Sequence, residues 1–404
     1  MIAAMNANES TALLAGLTPA QFMQRHWQKK PLLIRGAIPD FRPPLSIAEV
    51  KRLARQDEVE SRLVWREDGQ WQMESGPFAR LPPAKDPEWS LLVQGVNLHN
   101  DAAAALMHRF RFVPDARLDD LMISIATDGG GVGPHFDSYD VFLLQAVGQR
   151  RWRISKQKDL SLDPNAPLKI LANFTPAEEF VLNPGDMLYL PPAYAHDGIA
   201  EGECMTISIG FRSPSMAELA RGMLEAAADQ LSDRTPAALK GHYRDPDQPA
   251  VDQPGALPET LVDAALAAAA AVPLDRTLAS RFLGCWLTEP KPDVVFDAVD
   301  MDTLPDLAED WPASGTLTLD RRSLMIYRER TAFINGEMID HPASAALRRL
   351  ADERVLDCAD PLCRKLTDAE RSMLTDWLDD GWLHYAATPP TVSASAAFRK
   401  TRKP

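Results

Sequence analysis

Between Leu121 and Arg212 the chain alternates short β-branched and aromatic runs with turn residues, and no helical period intervenes. Six runs read as strands: Leu121–Ala126, Val141–Ala146, Arg150–Ile154, Phe180–Leu182, Met187–Leu190 and Met205–Phe211. Between them stand Gly129-Gly130-Gly131, Gly148, Pro184-Gly185 and Pro191-Pro192. A parallel sheet needs long crossovers, usually helical, so strands spaced this way are expected to pair antiparallel in a sandwich or barrel.

Other patterns flank this block. Thr18-Pro19-Ala20-Gln21 and Ser46-Ile47-Ala48-Glu49 carry capping-box signals for two short helices, the second running to about Gln56. Ser61–Trp65 and Gln70–Met73, on either side of Asp68-Gly69, read as a hairpin. Beyond the block, Met216–Leu231, Leu257–Val272 and Arg276–Leu287 read as helices, with a polar, proline-rich linker over Arg244–Pro254. The Ala-rich pair has little to bury by itself, so a second copy of the chain is expected to cover it. The tail places strands at Thr316–Leu319, Leu324–Tyr327 and Thr331–Ile334, a turn at Asn335-Gly336, and helices at Ala343–Glu353 and Thr367–Leu378. That layout suits a winged helix. Its last helix and the helix end carry Asp368, Glu370, Asp376, Asp379 and Asp380 against Arg371, which argues against reading DNA.

With 404 residues the chain has room for two or three domains. The expected division is a catalytic domain over 1–213, a helical region over 214–288, a winged-helix-like domain over 289–388 and a disordered tail over 389–404. A formal charge of -14 disfavours phosphate backbones and favours a basic partner. Four cysteines without paired zinc spacing argue for reduced thiols. The first sixteen residues lack a signal-peptide pattern, and the apolar run Leu261–Val272 is short and contains Asp263. A cytoplasmic protein without a membrane span is expected.

Two of the eight histidines stand out. His135 lies in Gly131-Val132-Gly133-Pro134-His135-Phe136-Asp137, and His196 follows Pro191-Pro192-Ala193-Tyr194-Ala195. In extended chain, residues i and i+2 share a face, so His135 and Asp137 project together. His196, returning on another strand, can supply a third donor. Two histidines and one carboxylate occupy one face of an octahedral metal and leave three positions open, which points to a non-haem Fe(II) oxygenase. A chelating 2-oxo acid would take two of those positions and O2 the third. The distal carboxylate of 2-oxoglutarate needs a cation and a hydroxyl. Arg150 shares its strand face with Trp152 and Ile154, and an inward Arg there calls for a partner anion. Ser124 can add the hydroxyl.

At this point several segments resemble the JmjC-type bacterial ribosomal oxygenases, the ribosomal-protein arginine hydroxylases. They are Arg25-His26-Trp27-Gln28-Lys29-Lys30-Pro31-Leu32-Leu33, Asp119–Ser124, Gly129–Phe142, Gly148–Arg153, Pro184–His196 and Ser208–Arg212. The resemblance spans nearly the whole chain, the C-terminal third by layout more than by motif. It implies an α+β chain: a double-stranded β-helix core of the cupin/JmjC kind, a helical dimerisation region and a winged-helix-like C-terminal domain. It also implies Fe(II) at His135, Asp137 and His196, 2-oxoglutarate at Arg150 and Ser124, and O2 as the second cosubstrate. Arg150, where many eukaryotic relatives have Lys, points to the bacterial branch. The implied reaction is hydroxylation of an arginine β-carbon in a large-subunit ribosomal protein, number sixteen. A guanidinium substrate wants a carboxylate and an aromatic or apolar wall, for which Asp128 and Tyr139 are the candidates. Two other readings stay open: a JmjC demethylase of N-methylated lysine or arginine, and a non-enzymatic cupin-like ribosome-assembly factor.

Overall fold

The computed structural model describes residues 6–233, 235–297 and 304–387, so the tail expected over 389–404 lies outside the described residues. The chain forms two compact units. One comprises residues 1–213, 290–326 and 343–404, and the other 214–289 and 327–342.

The first unit is built on nine strands: β1 (Leu32–Ile34), β2 (Ser61–Glu67), β3 (Gln70–Ser75), β4 (Trp89–Val93), β5 (Leu118–Ala126), β6 (Val141–Ser155), β7 (Glu178–Leu182), β8 (Met187–Leu190) and β9 (Ala195–Phe211). They pair in the order β1-β8-β6-β9-β5-β4-β2-β3, with β7 on the free stretch of β6, and every pairing is antiparallel. The hairpin read at Asp68-Gly69 is β2–β3, with both turn residues at positive φ as a tight hairpin requires. Both capping boxes form as read, opening helices Pro19–Arg25 and Ile47–Leu53. The second helix stops short of the expected Gln56.

Two expected strands prove to be one. Val141–Ala146 and Arg150–Ile154 belong to the single strand β6, and the expected Met205–Phe211 is the second half of β9. Gly148 (φ 62°) signals a turn in sequence, yet here it bends a continuing strand. Gly202 (φ 72°) lies within β9 in the same way. A Cβ on Gly148 would fall 2.3 Å from the Glu203 carbonyl oxygen, so the bend in β6 lies against the chain next to Gly202 and admits no side chain, whereas the space at Gly202 is open. Register shifts between Gln145, Val147 and Gln149 divide the β6–β9 ladder there. Before the bend β6 pairs with β8 and the end of β9; after it, β6 pairs with β7 and the start of β9. Long strands that pass from one layer to the other in this way make a double-stranded β-helix.

Alternate residues fill the interior: Ile123 and Ile125 of β5, Phe142 and Leu144 of β6, Met187 and Tyr189 of β8, Ile207 and Ile209 of β9. Helix Pro19–Arg25 adds Phe22, whose ring lies 5.4 Å from Phe142 and 4.9 Å from Tyr189. Burying one such ring stabilises the fold by about 2–3 kcal/mol. The same unit carries a smaller antiparallel sheet of Val355–Asp357, Thr316–Leu319 and Leu383–Ala386, with helices Ala345–Glu353 and Asp368–Asp379.

In the second unit, helices Met216–Asp233, Glu259–Ala270 and Arg276–Thr288 accompany the strands Thr331–Ile334 and Glu337–Met338. Phe282 packs over Gly222 and Phe333 over Gly284, where a Cβ would come within 2.2 and 2.4 Å of the rings. No residue of Glu259–Ala270 is buried, although nine of its twelve residues are apolar.

His108 has its pKa lowered to about 2 by burial, with Arg354 and Arg111 adding repulsion. The folded state therefore refuses a proton that the unfolded chain accepts below about pH 6.5. Stability falls on this account as pH drops from about 6.5 towards 2. A His108→Leu variant is expected to lose less stability on acidification than the wild type, read from denaturant midpoints between pH 7 and pH 4.

Candidate active site

Three side chains converge at one end of the β6–β9 ladder. His135 lies on the segment between β5 and β6 and pairs with His196, the second residue of β9, as an isolated antiparallel bridge. The two residues exchange backbone hydrogen bonds, His135 N–H to the His196 carbonyl at 2.9 Å and the reverse at 2.8 Å. Their rings sit 4.2 Å apart. Asp137 stands two residues on, with its carbonyl held by the Ala193 N–H at 2.8 Å and its carboxylate 3.7 Å from His196 Nε2. One donor atom from each of the three lies within 4.8 Å of the others, and no fourth His, Cys, Asp or Glu joins them among the described residues.

The rings are aimed. Nδ1 of His135 donates to the Gly133 carbonyl at 2.8 Å, and Nδ1 of His196 to the Tyr194 carbonyl at 2.9 Å. Each bond places the proton on Nδ1 and leaves the Nε2 lone pair free for a metal. Burial and the neighbouring His135 push the pKa of His196 down to about 4, so its imidazole is neutral at physiological pH. Neutral nitrogen donors with one carboxylate fit a divalent ion with open positions.

The glycine run explains how His135 is placed. A Cβ on Gly130 would meet the Trp89 carbonyl at 2.5 Å, and one on Gly131 the Gly198 carbonyl at 2.6 Å. The chain thus lies flat against β4 and β9. Gly133, at φ 77°, passes between Trp71 and Ile170 with no room for a side chain.

Arg150 is 5% exposed. Its Nη1 donates to Ser124 Oγ at 3.1 Å, while Nε and Nη2 are buried with no partner. Trp152, on the same strand face, lies with its ring 5.8 Å from the guanidinium and 5.9 Å from the His196 ring, and its buried Nε1 also lacks a partner. A buried cation with unmet donors costs several kcal/mol unless an anion completes it. A carboxylate of a small acid meets that need with two parallel hydrogen bonds.

The Tyr139 hydroxyl lies beside Asp137, and burial together with the carboxylates of Asp137 and Asp120 shifts its pKa upward. The Tyr139 ring is partly exposed, and Asp119 adds to the negative charge around it. Asp128 is placed apart from the triad. It is exposed on the loop after β5, and one carboxylate oxygen accepts the Gly202 N–H at 2.7 Å, beyond His196 along β9. Sequence reasoning passed over Asp140, wholly buried three residues after Asp137, and the indole N–H of Trp152. A His135-x-Asp137-x-x-Asp140 spacing was the available signal for the former.

Residues 105–219 match the JmjC domain, and residues 268–384 match the ROXA-like winged helix. Over 340 residues the chain is 36% identical to the ribosomal protein uL16 3-hydroxylase of Escherichia coli strain K12, covering 83% of this chain and 89% of that one. The chain belongs to the JmjC ribosomal oxygenase family. The solved E. coli structure of YcfD superposes with a TM-score of 0.77 at 31% identity, covering 94% of this chain and all of that one. Another YcfD structure, of the ribosomal oxygenase in complex with cobalt and 2-oxoglutarate, gives a TM-score of 0.74 at 31% identity over 93% of this chain and 99% of that one. The family is that of 2-oxoglutarate-dependent oxygenases, with the double-stranded β-helix and winged helix expected from sequence.

The triad predicts one Mn(II) site per chain, measurable by calorimetry or electron paramagnetic resonance. His196→Ala and Asp137→Ala should each weaken binding by more than the roughly 10–100-fold that loss of a supporting group costs. Equal affinity in wild type and both variants would remove these side chains from the site.

Proposed function

We propose that the chain is an Fe(II)- and 2-oxoglutarate-dependent hydroxylase that modifies the β-carbon of an arginine in ribosomal protein uL16. The observation that carries this reading is the pairing of an open three-donor cluster with a buried, half-satisfied Arg150 in the same barrel. In this reading His135, Asp137 and His196 hold the iron, and Arg150 and Ser124 hold the distal carboxylate of the cosubstrate. What bound iron and 2-oxoglutarate supply is activation of O2, with succinate and CO2 released and one oxygen atom inserted into a C–H bond.

The chain contributes placement. The Nδ1 bonds keep both imidazoles turned toward the ion, and Asp137 brings the negative charge. Arg150, buried among apolar side chains, fixes one end of the cosubstrate and so its orientation. Tyr139, beside Asp137, is the candidate aromatic wall, and Asp128, which lies apart from the triad, is the candidate carboxylate for a guanidinium. The formal charge of -14 suits a basic ribosomal client.

The same reading covers assembly and setting. No residue of helix Glu259–Ala270 is buried within the chain, and Leu261 and Leu266 are exposed on it, so a second copy is its natural cover. The protein is read as a homodimer of three domains, divided near residues 213 and 288, working where ribosomes are made in the cytoplasm. No helix among the described residues is long and apolar enough to cross a membrane.

Intact masses of ribosomal proteins from cells with and without the gene test the activity. A gain of about 16 Da on uL16, dependent on the gene, is expected for insertion of one oxygen. Loss of a methyl group would instead support demethylation, and no difference would support a non-enzymatic role. Arg150→Met should abolish 2-oxoglutarate binding while Mn(II) binding persists. Leu266→Glu should shift the sedimentation coefficient from dimer to monomer.

A further inference from the structure

Between the bridge at His135 and the start of β6 at Val141 the chain has no regular structure. This loop carries Asp137 and Tyr139, so their positions depend on how its two ends are held. The first end is held by His196. The second end is Asp140, which is 0% exposed.

A buried carboxylate is costly unless hydrogen bonds replace its water. Tyr189 Oη donates to Asp140 Oδ1 at 2.6 Å, and Gln28 Nε2 donates to Oδ2 at 3.0 Å, with Arg117 Nη2 3.8 Å from the same oxygen. The Gln28 backbone N–H donates to the Tyr189 hydroxyl at 2.8 Å, so the bonds form a chain in which each strengthens the next. Gln28 adopts φ 54°, a conformation that a residue with a side chain keeps only where its surroundings impose it. Trp27 beside it stacks on Tyr189 at 6.1 Å and meets Phe211 edge-on at 5.0 Å. The Phe211 N–H donates to the Asp140 carbonyl at 3.2 Å.

We propose that the turn Trp27-Gln28 clamps Asp140 through Tyr189, and that this clamp sets where the loop presents Asp137 and Tyr139. Gln28 and Tyr189 are positioning residues that touch neither metal nor substrate. The core does not need Gln28 for packing, since its side chain lies at the surface apart from this bond. Its role is the geometry of the loop.

The test compares wild type, Gln28→Ala, Tyr189→Phe and Gln28→Lys, the last of which keeps a donor facing Asp140. Two quantities are read: the dissociation constant for Mn(II) alone, and succinate formed per hydroxylated uL16 peptide. The second readout rests on the hydroxylase reading, and the first does not. Gln28→Ala and Tyr189→Phe are expected to weaken Mn(II) binding about tenfold, or ~1.4 kcal/mol, the scale of one hydrogen bond to a charged group. Succinate should outrun hydroxylated peptide in both, and Gln28→Lys should return toward wild type. Wild-type Mn(II) affinity and coupling in both variants, whatever their melting temperatures, would overturn the clamp. Mn(II) binding by a wild type that hydroxylates no uL16 peptide would sink the functional reading and leave the clamp to be judged on metal affinity.

Discussion

The mutual pair of backbone hydrogen bonds between His135 and His196 is the constraint on which the site depends. It joins two segments far apart in sequence at one point, where neither segment's own secondary structure would hold it. Each histidine then spends Nδ1 on a carbonyl two residues upstream, so the backbone that brings the rings together also orients them. The glycines before His135 serve the same end. Without side chains at Gly129 to Gly131, that segment lies against β4 and pairs its backbone with Ala200 of β9.

Two buried charges in the barrel are treated in opposite ways. Asp140 has its carboxylate filled by Tyr189 and Gln28, and it acts as a fastening. Arg150 is equally withdrawn from water, but two of its nitrogens are left without partners. A fold tolerates such a cation where a ligand's anion completes it. The difference between a satisfied and an unsatisfied buried charge separates architecture from binding site without reference to any relative.

Much of the site was legible because it is written in local spacing. His135 and Asp137 share a face through the two-residue period of extended chain, and Arg150 joins Trp152 and Ile154 by the same rule. The capping boxes at Thr18 and Ser46 and the Asp68-Gly69 hairpin were equally legible, since each is decided within four residues. The strand reading failed at Gly148. A glycine at positive φ looks the same in sequence whether it ends a strand or bends one, and only the partner strand across the ladder distinguishes the two. Asp140 went unread for a related reason: its donors come from residues 28 and 189, and no local pattern announces them.

By itself the amino-acid sequence determined the antiparallel β core and the shared face of His135 and Asp137, because these follow from periodicities and turn chemistry that act over a few residues. Only the tertiary structure decided that His196 meets His135, that Arg150 keeps unmet donors and that the N-terminal turn reaches Asp140. Those outcomes rest on hydrogen bonds between distant segments, and their geometry exists only once the strands have paired and the water has left.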